Sequence, residues 1–386
     1  MNRAEECKAC GGPIHLDPVL VLNNVPRSAQ GFCKTQAEAL EQRCELILKE
    51  CACCGLIQLT AVPVAYHKDV IRSAAVSSVL LKQKQHQFQQ FIDAHGLQGK
   101  KVLEVGCGRG EFLKVLNDLN VQAFGIEHSQ ASVDQCVAAG LQVEQAYIAS
   151  RDTLLKTGRF DAFLFLMFLE HVPAPRETLL GLANNLNEGA PGIIEVPSFD
   201  FLVRKNLLTE FIADHLSYFT QSTLSSLLCT VGFEVLEMHE SRDDYVLSAT
   251  VRKRKPLKLP TNDPAQGQLA SDVRRFLDLH VGRLVAVWGA GHQALTSISV
   301  FGIESRLAMV VDSAPSKQGL FTPGSGLLVE HPSALITKGI EAVIVMAGSY
   351  SDEIVQTLMQ SFPSVRYVAV AKEDHLAHPP TLQEAL

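Results

Sequence analysis

The strongest constraint on this chain is a short apolar strand that breaks into a glycine-rich turn and then into a helix. Residues 102–105 form a buried-strand pattern, glycines follow at positions 106, 108 and 110, and apolar residues at 112, 113 and 116 share one helical face. Glycines in such a turn let a ligand approach the backbone, and the helix that follows presents unpaired N–H groups. The segment therefore predicts a ligand-binding strand, turn and helix within an α/β domain.

A second strand pattern, Gln122–Glu127, ends in a carboxylate seventeen residues after Gly110. A carboxylate at the tip of the second strand can accept hydrogen bonds from both hydroxyls of a ribose. A dehydrogenase would more often carry G-x-G-x-x-G, whereas the third glycine of this chain comes too early. The pair of motifs favours a nucleoside-containing cofactor other than a dinucleotide.

This pair of motifs resembles the cofactor site of class I S-adenosylmethionine (SAM) methyltransferases, which have E-V-G-C-G-x-G and then an acid closing the second strand. The resemblance extends through Arg159–Val172, similar to the fourth strand and its loop, and through Gly192–Pro197, similar to the fifth. It implies SAM as cofactor and a Rossmann-like methyltransferase fold. A nucleotide-binding α/β domain with another cofactor is the alternative. The cofactor-binding residues that the resemblance implies are Glu104, Gly106, Cys107, Gly108, Gly110, Glu127 and His128.

Composition narrows the class of protein. With 386 residues, 47% hydrophobic and 19% charged, the chain is globular and long enough for two or three domains. Its net charge of -7 argues against nucleic acid as the principal partner. No apolar run approaches the length of a membrane span, and the first residues do not form a signal peptide pattern. We expect a cytoplasmic protein that acts on a small molecule and has no membrane partner.

Three regions follow from the pattern along the chain. Residues 1–65 form a short region that contains cysteines and is rich in turn signals. In residues 66–254, strand and helix patterns alternate around the cofactor motifs. A proline-containing stretch then predicts a linker. Residues 268–386 repeat the α/β plan, with strand patterns at 283–288, 307–312 and 342–346. The predicted architecture is a small zinc-binding domain, a central methyltransferase domain and a second Rossmann-like domain.

Two C-x-x-C knuckles predict the zinc site. Cys7 and Cys10 precede two glycines, and Cys51 and Cys54 precede Gly55. Each knuckle aims two thiolates at one point, and four sulfurs give the tetrahedral coordination that suits structural zinc. Cys53 is a rival ligand, and buried or incidental thiols are the alternative to a metal site.

Two histidines are candidates for the reaction. His171 follows the fourth strand, where the carboxyl ends of strands face the ligand crevice, and His215 lies in a loop after the fifth strand. A histidine has a pKa near neutrality and serves as a base or as a hydrogen-bond donor. For either residue the alternative is a structural histidine.

The order of the three regions is similar to that of sugar C-methyltransferases, which act on nucleotide-linked deoxyketosugars in antibiotic pathways. The matching segments are Cys51–Leu59, Glu170–Pro173, Asp214–Phe219, Val311–Gly319 and Thr322–Gly324. The resemblance implies that His215 removes a proton next to a ketone and that Asp214 tunes or orients it. It also implies that His171 or Tyr66 hydrogen-bonds the carbonyl oxygen as charge develops, and that the C-terminal domain holds the nucleotide or carrier part of the substrate.

Two other functions stay open at this stage. The family has tyrosine and glutamate where this chain has Ile212 and Asp214, which keeps an O- or N-methyltransferase on another small metabolite in contention. A scaffold that binds SAM without catalysis is the third reading. The retained Glu104, Gly106 and Glu127 argue against that loss of function.

Overall fold

A computed structural model describes residues 6–68, 76–259 and 263–379, and it divides the chain into two compact units at residues 257 and 258. The first unit contains a small sheet and a large sheet, and the second contains a single sheet in the described residues. The predicted boundary at 65 and 66 falls inside the first unit and stays a prediction. No helix of the described residues is long and apolar enough to cross a membrane.

The small sheet has the strand order β1-β2-β3-β9, and its neighbouring strands are antiparallel. Its fourth strand, β9, comes from far along the chain. In this strand Tyr218, just after the loop that carries His215, pairs with Ile57 of β3. The N-terminal region is thereby joined by main-chain hydrogen bonds to the predicted reaction loop. The elements are β1 (Leu20–Pro26), α1 (Gln36–Glu41), β2 (Arg43–Glu50), β3 (Ile57–Leu59) and β9 (Ser217–Tyr218).

The large sheet confirms the predicted α/β fold. Its strand order is β10-β11-β8-β7-β4-β5-β6, in which β4 to β8 run parallel and β10 and β11 add an antiparallel pair at the edge. The strands are β4 (Lys101–Val105), β5 (Gln122–Glu127), β6 (Val143–Gln145), β7 (Ala162–Leu166), β8 (Pro191–Pro197), β10 (Phe233–Ser241) and β11 (Val246–Lys253). The helices of this region are α2 (Ser78–His95), α3 (Glu111–Asn117), α4 (Gln130–Ala138), α5 (Pro175–Asn184), α6 (Phe199–Arg204) and α7 (Gln221–Thr230).

Strand order positions the site. The next two strands along the chain, β5 and β6, lie on one side of β4, and the two after them, β7 and β8, lie on its other side. This reversal opens a crevice beyond the carboxyl ends of β4 and β7, where ligands of open α/β sheets bind. All five residues of β7 and all seven of β8 are buried, as expected for central strands covered on both faces.

The second unit has the same plan on a smaller scale. Its strand order is β14-β13-β12-β15-β16-β17, parallel except for the last pair. Its strands are β12 (Val285–Trp288), β13 (Met309–Val311), β14 (Val329–Glu330), β15 (Ala342–Val345), β16 (Tyr367–Ala371) and β17 (Leu376–Ala377). Its helices are α8 (Gln268–Leu279), α9 (His292–Phe301), α10 (Ala334–Thr337) and α11 (Ser351–Ser361). The strands predicted from the three apolar runs of this region are all present.

Candidate active site

The four predicted metal ligands lie together. The Sγ atoms of Cys7, Cys10, Cys51 and Cys54 are all within 4.8 Å of one another, with 3.6 Å between Cys7 and Cys54 and 3.5 Å between Cys10 and Cys51. A tetrahedral set with metal–sulfur bonds of ~2.3 Å has sulfur–sulfur edges of roughly 3.8 Å. The spacing therefore fits a tetrahedral four-sulfur metal site.

Backbone N–H groups around the cluster point at the sulfurs. Gly12 donates to Cys10 Sγ at 3.3 Å, and both Cys53 and Cys54 donate to Cys51 Sγ. Burial opposes ionisation of the Cys51 thiol, but the N–H groups of Cys54 and Cys53 outweigh it and lower its pKa to about 7. Cys53 is exposed and is not a member of the four-sulfur set, so the knuckle uses positions 51 and 54.

The glycine turn and the acid at the tip of β5 are bonded to each other. Gly106, Gly108 and Gly110 all have positive φ, at 70°, 56° and 83°, which favours glycine over other residues. The Glu127 carboxylate accepts hydrogen bonds from the N–H of Gly108 at 2.9 Å and from that of Ser129 at 3.0 Å. These two bonds fix the carboxylate at the rim of the crevice.

A small, partly open cavity lies beside this turn, with a volume of about 20 Å³ available to water-sized molecules. Among the predicted cofactor residues, Gly106, Glu127 and His128 line it. The Cys107 side chain instead packs towards β5, since a Cβ built on Gly125 would be 2.6 Å from its sulfur, and burial raises the pKa of that thiol. Glu104 is buried within β4, 3% exposed. The fit to a nucleoside therefore rests on the rim residues of the turn and of β5.

Sequence reasoning missed most of the lining of this cavity, including Tyr147, Ile148 and Phe168. Tyr147 and Ile148 follow β6, the third strand of the parallel series, so their position after a strand end was a signal in the sequence. The Tyr147 ring lies edge-on to His128 with 6.1 Å between ring centroids, and Lys68 Nζ lies 5.2 Å from its centre. Burial raises the pKa of Tyr147 to about 12, so the phenol is neutral.

His171 and His215 face each other. Two hydrogen bonds join their loops: Leu216 N–H donates to the carbonyl of Glu170 at 2.8 Å, and His171 Nδ1 bonds the carbonyl of Asp214 at 2.9 Å. The two imidazole centroids are 4.7 Å apart. Phe168 lines the cofactor cavity, and its ring centroid is 6.2 Å from that of His171. The Phe168 ring therefore lies between the histidine pair and the cavity.

Both histidines are neutral near physiological pH. Burial lowers the pKa of His171, although its bond to Asp214 opposes the shift. Burial and then the neighbouring His171 lower the pKa of His215 to about 3. The imidazole of His215 is accordingly unprotonated near neutral pH and carries a lone pair, and its lowered pKa also makes it a weak base.

Tyr66 and Asp214 are partners. The Tyr66 hydroxyl donates to Asp214 Oδ1 at 2.6 Å and accepts from Gln30 N–H, while Asp214 Oδ2 accepts from Ala29 N–H at 2.8 Å. Asp214 is 1% exposed. Its carboxylate thus holds Tyr66 and the segment 29–30, and its main-chain carbonyl orients His171. Burial and the bond to Asp214 raise the pKa of Tyr66.

Comparison with known proteins agrees with this geometry. Residues 80–238 match the family described as a methyltransferase domain, and residues 268–364 match the C-methyltransferase C-terminal domain. A ubiquinone biosynthesis O-methyltransferase of Azoarcus sp. (strain BH72) is 28% identical over 166 residues, which are 38% of this chain and 70% of the relative. One of Idiomarina loihiensis is 32% identical over 133 residues, covering 32% of this chain and 54% of the relative.

Solved structures include chains that are similar to part of this one. An S-adenosylmethionine-dependent methyltransferase from Clostridium acetobutylicum covers 49% of this chain and 96% of its own, with a TM-score of 0.38 and 12% identity. The chain spans about half the length or less of several other curated relatives that it matches. The methyltransferase domain matched at residues 80–238 and the strand order of the large sheet indicate a SAM-dependent methyltransferase with a class I α/β core.

Proposed function

We propose that this methyltransferase forms a carbon–carbon bond, adding the methyl group to the carbon next to a ketone of a nucleotide-linked deoxysugar. The observation that carries the proposal is the pair of neutral imidazoles, His171 and His215, one aromatic ring away from the cofactor cavity. The match of residues 268–364 to the C-methyltransferase C-terminal domain supports a carbon acceptor.

SAM supplies an already activated methyl group when it is bound. The protein's task is to hold the cofactor and to make the acceptor carbon nucleophilic. Glu127 and the turn at 106–110 would hold the ribose and the chain of the cofactor, and Tyr147 and Phe168 would enclose its apolar parts. Gly108 has open space where a side chain would project, so a ligand can approach the backbone there.

His215 is the proposed base. A neutral imidazole accepts the proton from the carbon adjacent to the ketone and leaves an enolate to attack the methyl group. His171, held by the Asp214 carbonyl, is the group proposed to stabilise the enolate oxygen, because the one hydrogen of the Tyr66 hydroxyl is already donated to Asp214. Asp214 acts on this arrangement as a positioning residue, through its bonds to Tyr66 and Ala29.

An open groove beside Tyr66 supports an anionic substrate. It is lined by Arg27, Ser28, Glu45, Tyr66 and Ala213 among other residues, and the guanidinium of Arg27 offers a cation for a phosphate. The second unit, with its Rossmann-like sheet, is proposed to contribute to holding the nucleotide part. Antibiotic biosynthesis as the pathway and the cytoplasm as the compartment stay predictions.

The cysteine cluster is proposed to bind one structural zinc ion. Four thiolates close the coordination shell and leave no position for a substrate, so the ion would stabilise the N-terminal fold and take no part in the transfer. The short sulfur–sulfur distances and the N–H groups directed at the sulfurs support this assignment.

Methylation of an oxygen is the second candidate, because the curated relatives named above are ubiquinone biosynthesis O-methyltransferases. The two functions are separated by incubating the enzyme with a thymidine-diphosphate-linked ketodeoxysugar and the demethylated cofactor in deuterated water. Carbon methylation predicts exchange of the proton next to the ketone, lost in His215→Ala and retained in an exposed control, His239→Ala. Absence of exchange in the wild-type enzyme, with the methyl group recovered on oxygen in a parallel incubation with SAM, would reject the proposal.

A further inference from the structure

Glu170 is a buried carboxyl group that the proposed reaction does not yet use. It is 2% exposed, and its Oε2 has no hydrogen-bond partner in the described residues. Its Oε1 lies 3.9 Å from Nε2 of His171, and all three side chains of Glu170, His171 and His215 offer a polar atom within 4.8 Å of one another. A buried carboxylate without a partner is costly, so this group needs a proton or a cation.

The surroundings favour the proton. The titratable groups that the structure places near Glu170 are His171, His215 and the phenol of Tyr245. In the described residues no lysine or arginine forms an ion pair with it. Burial raises the pKa of Glu170 to about 8, and a carboxylic acid kept neutral in this way can donate its hydrogen.

The tautomer of His171 creates a need for that proton. Its Nδ1 bonds a carbonyl oxygen, which can only accept, so the hydrogen of the neutral ring is on Nδ1. Nε2 then carries a lone pair and lies on the side of Glu170. In this state His171 has no N–H left to donate to an enolate oxygen, and it becomes a donor only when Nε2 gains a proton.

We propose that Glu170 stores a proton and transfers it to Nε2 of His171 when negative charge develops on the acceptor oxygen. The inference rests on the proposed function. The proton leaves the Glu170 carboxyl group and converts His171 to an imidazolium that donates to the enolate oxygen. It returns to Glu170 when the methyl group is transferred and the ketone re-forms. The proton taken from carbon by His215 goes to solvent, so each turnover releases one proton.

The first test needs no substrate. Infrared spectra of the full-length protein with the demethylated cofactor, carrying ¹³C-carboxyl glutamate, should show the C=O stretch of a protonated acid at pH 7. The band should disappear as pH rises through about 8 and be missing in Glu170→Gln but present in Glu210→Gln. The ¹⁵N resonance of His171 Nε2, assigned with His171→Asn, should follow the same titration and be unresponsive in Glu170→Gln.

Three results would overturn the proposal. The first is an ionised Glu170 at pH 7, and the second is a His171 Nε2 resonance whose chemical shift does not change as Glu170 titrates. The third is a second divalent metal ion, besides the one bound by the cysteines, that is lost in Glu170→Gln. With the ketodeoxysugar as acceptor, Glu170→Gln should lower turnover roughly tenfold to a hundredfold at unchanged KM for SAM, with Glu170→Asp partly restoring it. It should also lose the decline in rate above pH 8 that we expect of the wild type. A methyl group found on oxygen would reject the proposed function while leaving the infrared result standing.

Discussion

Loss of the hydrogen bond between Tyr66 and Asp214 should destabilise the first unit by a measurable coupling energy. The Tyr66 hydroxyl donates to a carboxylate that is 1% exposed, at 2.6 Å, and accepts from Gln30 N–H at 2.8 Å. A hydrogen bond to a charged group contributes about 1.5–3 kcal/mol. Tyr66→Phe removes this bond to Asp214, so we expect a loss of about 1.5–3 kcal/mol in the free energy of unfolding.

A double-mutant cycle isolates the pair. The free energies of unfolding of wild type, Tyr66→Phe, Asp214→Asn and the double variant are measured in urea, and the coupling should be about 1.5–3 kcal/mol. Tyr245 and Glu210 form the matched control, since they make the same kind of bond at 2.9 Å to a carboxylate that is less buried than that of Asp214. Their coupling should stay below about 1 kcal/mol. A coupling under about 0.5 kcal/mol for Tyr66 and Asp214 would refute the reasoning.

Three further outcomes are expected. Elemental analysis should find about one zinc ion per chain in the wild type and less in Cys54→Ser, in which the cysteine cluster should unfold. The control Cys53→Ser, at an exposed cysteine outside the cluster, should retain the metal. A wild-type protein that is folded and free of metal would contradict the zinc proposal. Glu127→Ala should weaken the binding of both SAM and its demethylated product, measured by calorimetry, with Glu144→Ala as the control. If Glu127→Ala binds both ligands as tightly as the wild type does, Glu127 is excluded from the ribose site. The pKa of His215 is lowered from 6.5 to about 3, so between these pH values the unfolded state binds a proton on this residue and the folded state does not. Stability should therefore fall as pH decreases from about 6.5 towards 3, and His215→Asn should flatten this part of the curve in thermal melts; an unchanged curve would contradict the shift.

Local sequence patterns predicted the elements that carry the cofactor site. The apolar runs of β4, β5, β7 and β8 are long and bounded by glycine or acid, so their strand character is visible without tertiary information. The start of α7 is also marked by local residues, because Thr220 caps it and forms a capping box with Thr223. The paired knuckles at 7–10 and 51–54 specified the cysteine cluster through their spacing alone.

Contacts between distant segments could not be read in the same way. Tyr66 and Asp214 are 148 residues apart in sequence, and the pairing of Ile57 with Tyr218 joins β3 to a two-residue strand that has no periodicity of its own. The sequence placed Asp214 beside His215, whereas the fold turns its carboxylate towards Tyr66. Burial of Glu170 is likewise set by packing of the loops around it, and its altered pKa follows from that packing.

The central claim is that His215 removes a proton from carbon so that the methyl group is added there. The most direct measurement follows transfer from SAM with a ¹³C-labelled methyl group to the thymidine-diphosphate-linked ketodeoxysugar, by NMR of the product. The claim predicts a methyl carbon with a one-bond coupling to a sugar carbon, formed by the wild type and reduced roughly a hundredfold or more in His215→Ala. A methyl carbon bonded to oxygen, or a His215→Ala variant with wild-type turnover, would contradict it.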